Sequence, residues 1–377
     1  MHRTTITTSL NKFKRTYRQQ SLQASPKSAR QLTTKIQTSH QKVSDKQYKP
    51  PALEVNPAYD EALKYIYEDK ANKYKKIKYI ETQIERVSKA EQSEVRDQEL
   101  NELKKMKYNL QVLAEVNDPE VRWNFKNGKI DMSIPVYRHL REKHWKRAPL
   151  YKLMERITQM YVVPDVFPTL EPTIDLEIKI KNQIIEPGVF LFPAQTKKEP
   201  TIILTNFHED TRLYTLIMVD PDMPDTSNET YQTEWHWLIT NIPINVTKSD
   251  ISGGETILPF IPPHPPKGTK YHRYTFAILE QPNNQKIEIS QNMSRIKDVR
   301  KFVSEYNLTV RGASFFREVW DQDVSTIYSE ILGIREPQYG RQPKSPYKNN
   351  TMTYYSRQRS QLKTNVLLKV KDCDFIR

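Results

Sequence analysis

Cysteine is nearly absent. Cys373 stands alone in 377 residues, which excludes an intramolecular disulfide and a cysteine-rich zinc site. Glycine is scarce too, with 8 residues against 25 prolines. The glycines never fall into Gly-x-Ser-x-Gly, a phosphate loop or Gly-x-Gly-x-x-Gly, so neither a nucleophile elbow nor a nucleotide cradle is encoded. No paired carboxylates mark a cleft face. The expectation is a protein without catalytic activity, cofactor or metal. No run approaches the roughly 20 apolar residues that cross a bilayer, and the first turns of the chain lack the apolar stretch of a secretory signal. Neither a membrane-spanning nor a secreted chain is expected.

Positive charge is what the sequence has in excess. There are 59 Lys+Arg against 45 Asp+Glu, a formal net charge of +14. Such a field attracts a polyanion, so nucleic acid is the leading class of partner, with a basic import segment as the alternative source of the charge. The length suggests roughly two domains plus extensions. A mean hydropathy of -0.76 together with the prolines implies that part of the chain stays solvated.

The charge is concentrated at the ends. Residues 1–50 carry eleven Lys/Arg and the single acid Asp45, with Leu10, Phe13 and Tyr17 spaced for one helical face. A cationic amphipathic segment without acids reads as a mitochondrial targeting segment; a basic arm for nucleic acid has the same composition. From residue 334 to 377 ten Lys/Arg face three acids, interleaved with Tyr339, Tyr347, Tyr354 and Tyr355. Arg341, Lys344, Lys348, Arg357 and Arg359 are candidates to neutralise an RNA backbone while the tyrosines stack on exposed bases.

Residues 51–160 read as charged helices. Asn56-Pro57 opens a long helix to about Ala90, with Ile77, Ile80, Ile84 and Val87 on one face. Leu100, Leu103, Met106, Leu110 and Leu113 predict a second helix able to pair with it. Asp118-Pro119 caps a short segment. Ser133 to Pro135 starts a basic helix, whose Arg138, Arg141, Lys146 and Arg147 are candidates for RNA contact.

Residues 161–333 change period. Asp175 to Ile180, Leu213 to Val219, Trp235 to Thr240 and Tyr274 to Leu279 predict strands of an antiparallel β-domain. Runs from about Ser294 to Glu305 and from Val324 to Leu332 predict helices on its edge. The expected fold class is therefore mainly β with helical additions (α+β).

Three ordered motifs lie in this region: Asp220-Pro221-Asp222-Met223-Pro224, Glu234-Trp235-His236, and Pro265 to Tyr274 with His272-Arg273-Tyr274 at its end. Val163-Pro164-Asp165-Val166, Pro187-Gly188 and Gly312 ahead of Phe315-Phe316 support them. From about Tyr161 to Leu332 the chain resembles the phosphatidylethanolamine-binding proteins. The resemblance implies a small mouth for an anionic headgroup, lined by Asp220, Asp222, Pro224 and His272, with a cis Met223–Pro224 bond.

The sequence departs from the family pattern at that mouth. Trp237 stands where the family usually has a second histidine. Ile261-Pro262-Pro263-His264 replaces a glycine-rich loop, and proline has no N–H to give an anion. Phe315 stands for a tyrosine. These changes predict a vestigial mouth, with His264 restoring some polarity. His236, His264 and His272 do not show the short helical spacing that favours a metal, so a histidine metal cluster is not expected.

Taken with the basic ends and charged helices, the resemblance implies a family branch built into the large subunit of the mitochondrial ribosome. Its partners would be large-subunit ribosomal RNA and neighbouring ribosomal proteins near the central protuberance, with no membrane span. The alternative is a soluble regulator that binds lipid headgroups, proteases or kinases.

Overall fold

A computed structural model describes residues 47–340. The expected targeting segment up to residue 46, and Arg341, Lys344, Lys348, Arg357, Arg359 and Cys373, lie outside the described residues. The chain forms two compact units, one up to Leu140 and one from Arg141.

The first unit is helical, and its helices begin where side chains can satisfy free backbone N–H groups. α1 (Pro57–Ser88) starts after Asn56, whose side chain accepts from the Tyr59 N–H. α2 (Glu94–Glu115) starts after Ser93, which accepts from Arg96, and α3 (Pro119–Lys126) after Asp118, which accepts from Glu120. α1 and α2 form a hairpin with Ile77, Ile80 and Val87 buried on one helix and Val112 and Ala114 on the other. Of the predicted leucine row, Leu100, Leu103 and Leu110 are half-buried, whereas Met106 and Leu113 are exposed. Lys107 pairs with Glu81 at 2.8 Å, and Lys70 with Asp118 at 2.9 Å.

α4 (Pro135–Arg147) is the predicted basic helix. One of its assigned RNA contacts is corrected. Arg138 is only 1% exposed, and its guanidinium donates to the carbonyls of Met132 and Ser133. Arg138 and the buried Trp145 are seven residues apart and so share a helical face. Lys143, Lys146 and Arg147 are exposed, and Arg141 is half-buried.

The second unit is a layered β-domain. β1 (Asp175–Ile180), β2 (Gln183–Ile185) and β4 (Thr201–Thr205) make an antiparallel sheet in the order β2-β1-β4. The larger sheet contains β3 (Phe190–Leu191), β5 (Arg212–Asp225), β6 (Thr230–Ile244), β7 (Glu255–Leu258), β8 (His272–Glu280) and β9 (Thr309–Glu318), in the order β3-β9-β8-β5-β6-β7. Its central strands are apolar on both faces, and alternation sorts the residues into two cores. Leu216, Met218, Trp237, Phe276, Ile278 and Phe316 pack against Ile174, Leu176, Ile178, Ile202 and Leu204 of the small sheet side. Ile217, Val219, Trp235, Leu238, Ala277 and Phe315 face the other way, toward α5 (Pro149–Gln159) and α6 (Val299–Glu305) through Leu153, Ile157 and Phe302. α7 (Gln322–Thr326) continues as a wider helical turn over Ile327–Leu332.

Among the described residues the cis peptide bond is Val163–Pro164. Met223–Pro224 is trans, a correction explained by its place in the hairpin ladder, where Met223 pairs with Gln232 and Pro224 with Tyr231. Gly268 has φ +92, and a Cβ there would fall 1.5 Å from the Tyr339 carbonyl oxygen. That close approach holds residue 339 against the loop before β8, where the Tyr339 N–H donates to the Lys267 carbonyl.

Candidate functional site

β5, β6, β8 and the proline loop bring a buried polar cluster together on the small-sheet face. Its first pair is Asp220 with His272, 2.6 Å apart and almost wholly buried. His272 Nε2 lies 2.9 Å from the Thr269 hydroxyl, whose own hydrogen goes to the Pro266 carbonyl. His272 is thus held at both ring nitrogens, by a carboxylate at Nδ1 and by a hydroxyl at Nε2. Burial opposes a charge on the ring, but the neighbouring Asp220 carboxylate outweighs it and raises the His272 pKa. Burial likewise works against the Asp220 carboxylate, and His272 holds its pKa below the usual value.

The second group is Glu234, His236 and His264. Glu234 Oε2 lies 3.3 Å from His264 Nε2 and 3.8 Å from His236 Nε2. The two imidazole rings are 4.9 Å apart, Tyr274 meets His236 edge-on, and Tyr328 meets His264 edge-on. The Tyr328 hydroxyl also donates to the His264 carbonyl. Desolvation and the neighbouring His264 lower the His236 pKa. Desolvation pulls His264 down as well, but Glu234 raises it above its ordinary value.

Several predicted mouth residues are elsewhere. Asp222 is held by Arg273, which donates to it through Nε and Nη2 at 2.8 and 2.7 Å and also reaches Asp165. Pro224 sits in the β5–β6 hairpin. Phe315 faces the opposite core, where Gly188 lies over its ring. Besides Tyr274 of the third motif, the cluster's tyrosine is Tyr328, 13 residues beyond Phe315. Trp237 packs edge-on against Phe260 at 5.6 Å within the apolar core. A register shift explains this: Trp237 pairs with Met218 and Trp235 with Val219, which leaves His236 as the extra residue of a bulge and turns its ring into the cluster. The imidazole expected at 237 is thus supplied from 236. Glu234 was visible within a motif but carried no assigned role, and Tyr328 lay only in a predicted helix.

The cluster is poor in anion donors. Pro262 and Pro263 are buried and have no N–H, while both ring nitrogens of His272 are engaged, by Asp220 and Thr269. A surface groove of about 410 Å³ is lined by Phe167, Thr169, Arg300, Val303, Leu308 and Arg311, and shares no residue with the cluster.

The profile of the family described as "Phosphatidylethanolamine-binding protein" matches residues 177–315, a stretch containing all three motifs. The chain belongs to the phosphatidylethanolamine-binding protein family. Within it, the chain is 30% identical over 233 residues to "Large ribosomal subunit protein mL38" of Schizosaccharomyces pombe, a match covering 60% of this chain and 76% of that protein. Among solved structures, a phosphatidylethanolamine-binding protein from Plasmodium vivax is 21% identical with a TM-score of 0.37, covering 44% of this chain and 97% of the other. One from Plasmodium falciparum is 22% identical with a TM-score of 0.35, covering 44% and 96%. No helix among the described residues is long and apolar enough to cross a membrane.

Proposed function

We propose that this chain is a structural, non-catalytic constituent of the large subunit of the mitochondrial ribosome, located in the matrix. The observation that carries the reading is the 233-residue likeness to the fission yeast large-subunit protein, which is longer than the 177–315 stretch matched by the family profile. A formal charge of +14 supplies the attraction that an RNA scaffold needs. In this reading Lys143, Lys146 and Arg147 on α4, with half-buried Arg141, meet ribosomal RNA. The extension containing Arg341, Lys344, Lys348, Arg357 and Arg359 adds further phosphate contacts, and neighbouring ribosomal proteins near the central protuberance complete the surroundings. The β-domain acts as a rigid scaffold, and its mouth, with donors withheld and acceptors turned inward, takes no anionic headgroup.

Gradient sedimentation of a mitochondrial lysate tests the assignment. The protein is expected to travel with the large subunit in stoichiometric amount and to leave it only at high salt. A pool wholly at the top of the gradient at physiological salt would overturn the assignment.

A further inference from the structure

Glu234 and His236 are two residues apart on β6, so their side chains share one face. His264 reaches the same point from the proline loop. The orientation of both rings is fixed by backbone: His236 Nδ1 lies 3.0 Å from the Ile261 carbonyl, and His264 Nδ1 lies 2.8 Å from the Pro262 carbonyl. A carbonyl only accepts, so each Nδ1 carries a hydrogen and, in the neutral ring, each Nε2 presents its lone pair.

One ring nitrogen of each histidine and a Glu234 carboxylate oxygen all lie within 4.8 Å of one another, and it is the two Nε2 atoms that approach Glu234 Oε2. The approach of His264 to Glu234 is not aligned as a hydrogen bond, and Glu234 Oε2 and His236 Nε2 are both buried without such a partner. A proton on His264 would relieve Glu234 and still leave His236 Nε2 facing nothing. One cation at the centre would satisfy all three atoms. With metal–ligand distances near 2.0–2.1 Å, tetrahedral ligands stand about 3.3 Å apart. The observed 3.3 and 3.8 Å separations from Glu234 need only small adjustment to meet that. Ring nitrogens that donate from their far side to carbonyls are also how metal-binding histidines are held.

We propose that Glu234, His236 and His264 form a site for one divalent transition-metal cation, zinc foremost, that ties the proline loop to β6. Two imidazoles and one carboxylate suit zinc and its first-row neighbours, whereas calcium and magnesium prefer oxygen ligands. Water supplies the fourth position. His272, expected from the sequence as the third histidine of any such cluster, is outside it because Asp220 and Thr269 occupy both of its nitrogens. The site is independent of the ribosomal reading, since it concerns the chain alone.

The test uses the full-length chain without an affinity tag, stripped with a chelator. Zinc uptake is followed by calorimetry and elemental analysis, and cobalt(II) binding by its visible spectrum. One zinc per chain is expected, with the strong visible bands of four-coordinate cobalt. His236→Gln and His264→Gln should each weaken zinc by about 100-fold or more, beyond the loss seen when only an outer-shell partner is removed. His144→Gln, on the exposed face of α4, should bind as the parent does. Absence of stoichiometric zinc in the folded parent, or unaltered affinity in folded His236→Gln, would overturn the site. The weak spectrum of six-coordinate cobalt in the parent would do so too, whether or not the variants fold.

Discussion

Glu318, the last residue of β9, is fully buried, and neither of its carboxyl oxygens has a hydrogen-bond partner. The Thr196 hydroxyl is close enough to ease the charge slightly, but it donates to the Pro193 carbonyl. Desolvation, with Asp321 and Asp220 adding repulsion, pushes the carboxyl up to about 8 from an ordinary 4.5. Between those values the native chain keeps a proton that the unfolded chain has released, so stability falls as pH rises. The slope is about 1.4 kcal/mol per pH unit, which over the window sums to about 4–5 kcal/mol. Below the window both states are protonated and above it both are ionised, so neither region adds a further change from this residue. Glu318→Gln keeps the shape and removes the titration. Urea unfolding of the full chain, read by tryptophan fluorescence at pH 5, 6, 7 and 8, should show the variant close to the parent at pH 5. By pH 8 it should be ahead by about 4 kcal/mol, roughly 2 M in midpoint for an m-value near 2 kcal/mol/M. Midpoints that keep a constant offset across the series would refute the assignment of a neutral, buried Glu318.

Other expectations follow from the same geometry. Arg273→Ala leaves Asp222 and Asp165 without their shared cation, and losing charge-assisted hydrogen bonds at this partly exposed position should cost about 1.5–3 kcal/mol. Thermal unfolding should show the loss, and a midpoint within a degree of the parent would contradict it. Phe315→Ala removes a wholly buried ring and should cost about 3–5 kcal/mol by chemical denaturation, with little loss indicating that the ring is not core. Phosphate or phosphoethanolamine should leave the histidine ring resonances of the chain unmoved in NMR spectra; saturable shifts would show that the mouth still accepts an anion.

The long helices were legible because their signals are local. Asn56-Pro57 and Asp118-Pro119 place a capping side chain and a proline together, and the structure uses both as helix starts. The inner strands β1, β5, β6 and β8 were legible as apolar or alternating runs. The short strands β2, β3, β4 and β7 were not, since two to five residues carry too little period to stand out. β9 was hidden differently, with Gly312 and Ser314 interrupting its apolar run in a segment read as a lead into a helix. At the site, motif order found Asp220, His272 and His264. It misplaced Trp237 because a bulge changes which residue faces inward without changing composition. It misplaced Phe315 because adjacent strand residues face opposite cores, and Phe316 is the one on the cluster's side.

The same distinction between composition and facing governs the proposed RNA contact. On α4 the sequence offers Arg138, Arg141, Lys146 and Arg147 as equals, but helical geometry hides Arg138 and half-buries Arg141, and Lys146 is already paired with Glu142 at 2.6 Å. Lys143 and Arg147 are then the groups most free to displace counterions, and Lys146 must first release its partner. Each phosphate neutralised contributes about 0.7–0.9 to the slope of log K against log salt. Replacing Lys143, Lys146 and Arg147 together by Ala should therefore flatten that slope by about 2 rather than 3 when the chain binds deproteinised large-subunit RNA between 50 and 200 mM salt. An unchanged slope would mean that α4 does not touch phosphate. The attraction would then have to come from charges elsewhere in a chain whose β-domain turns its buried acceptors inward.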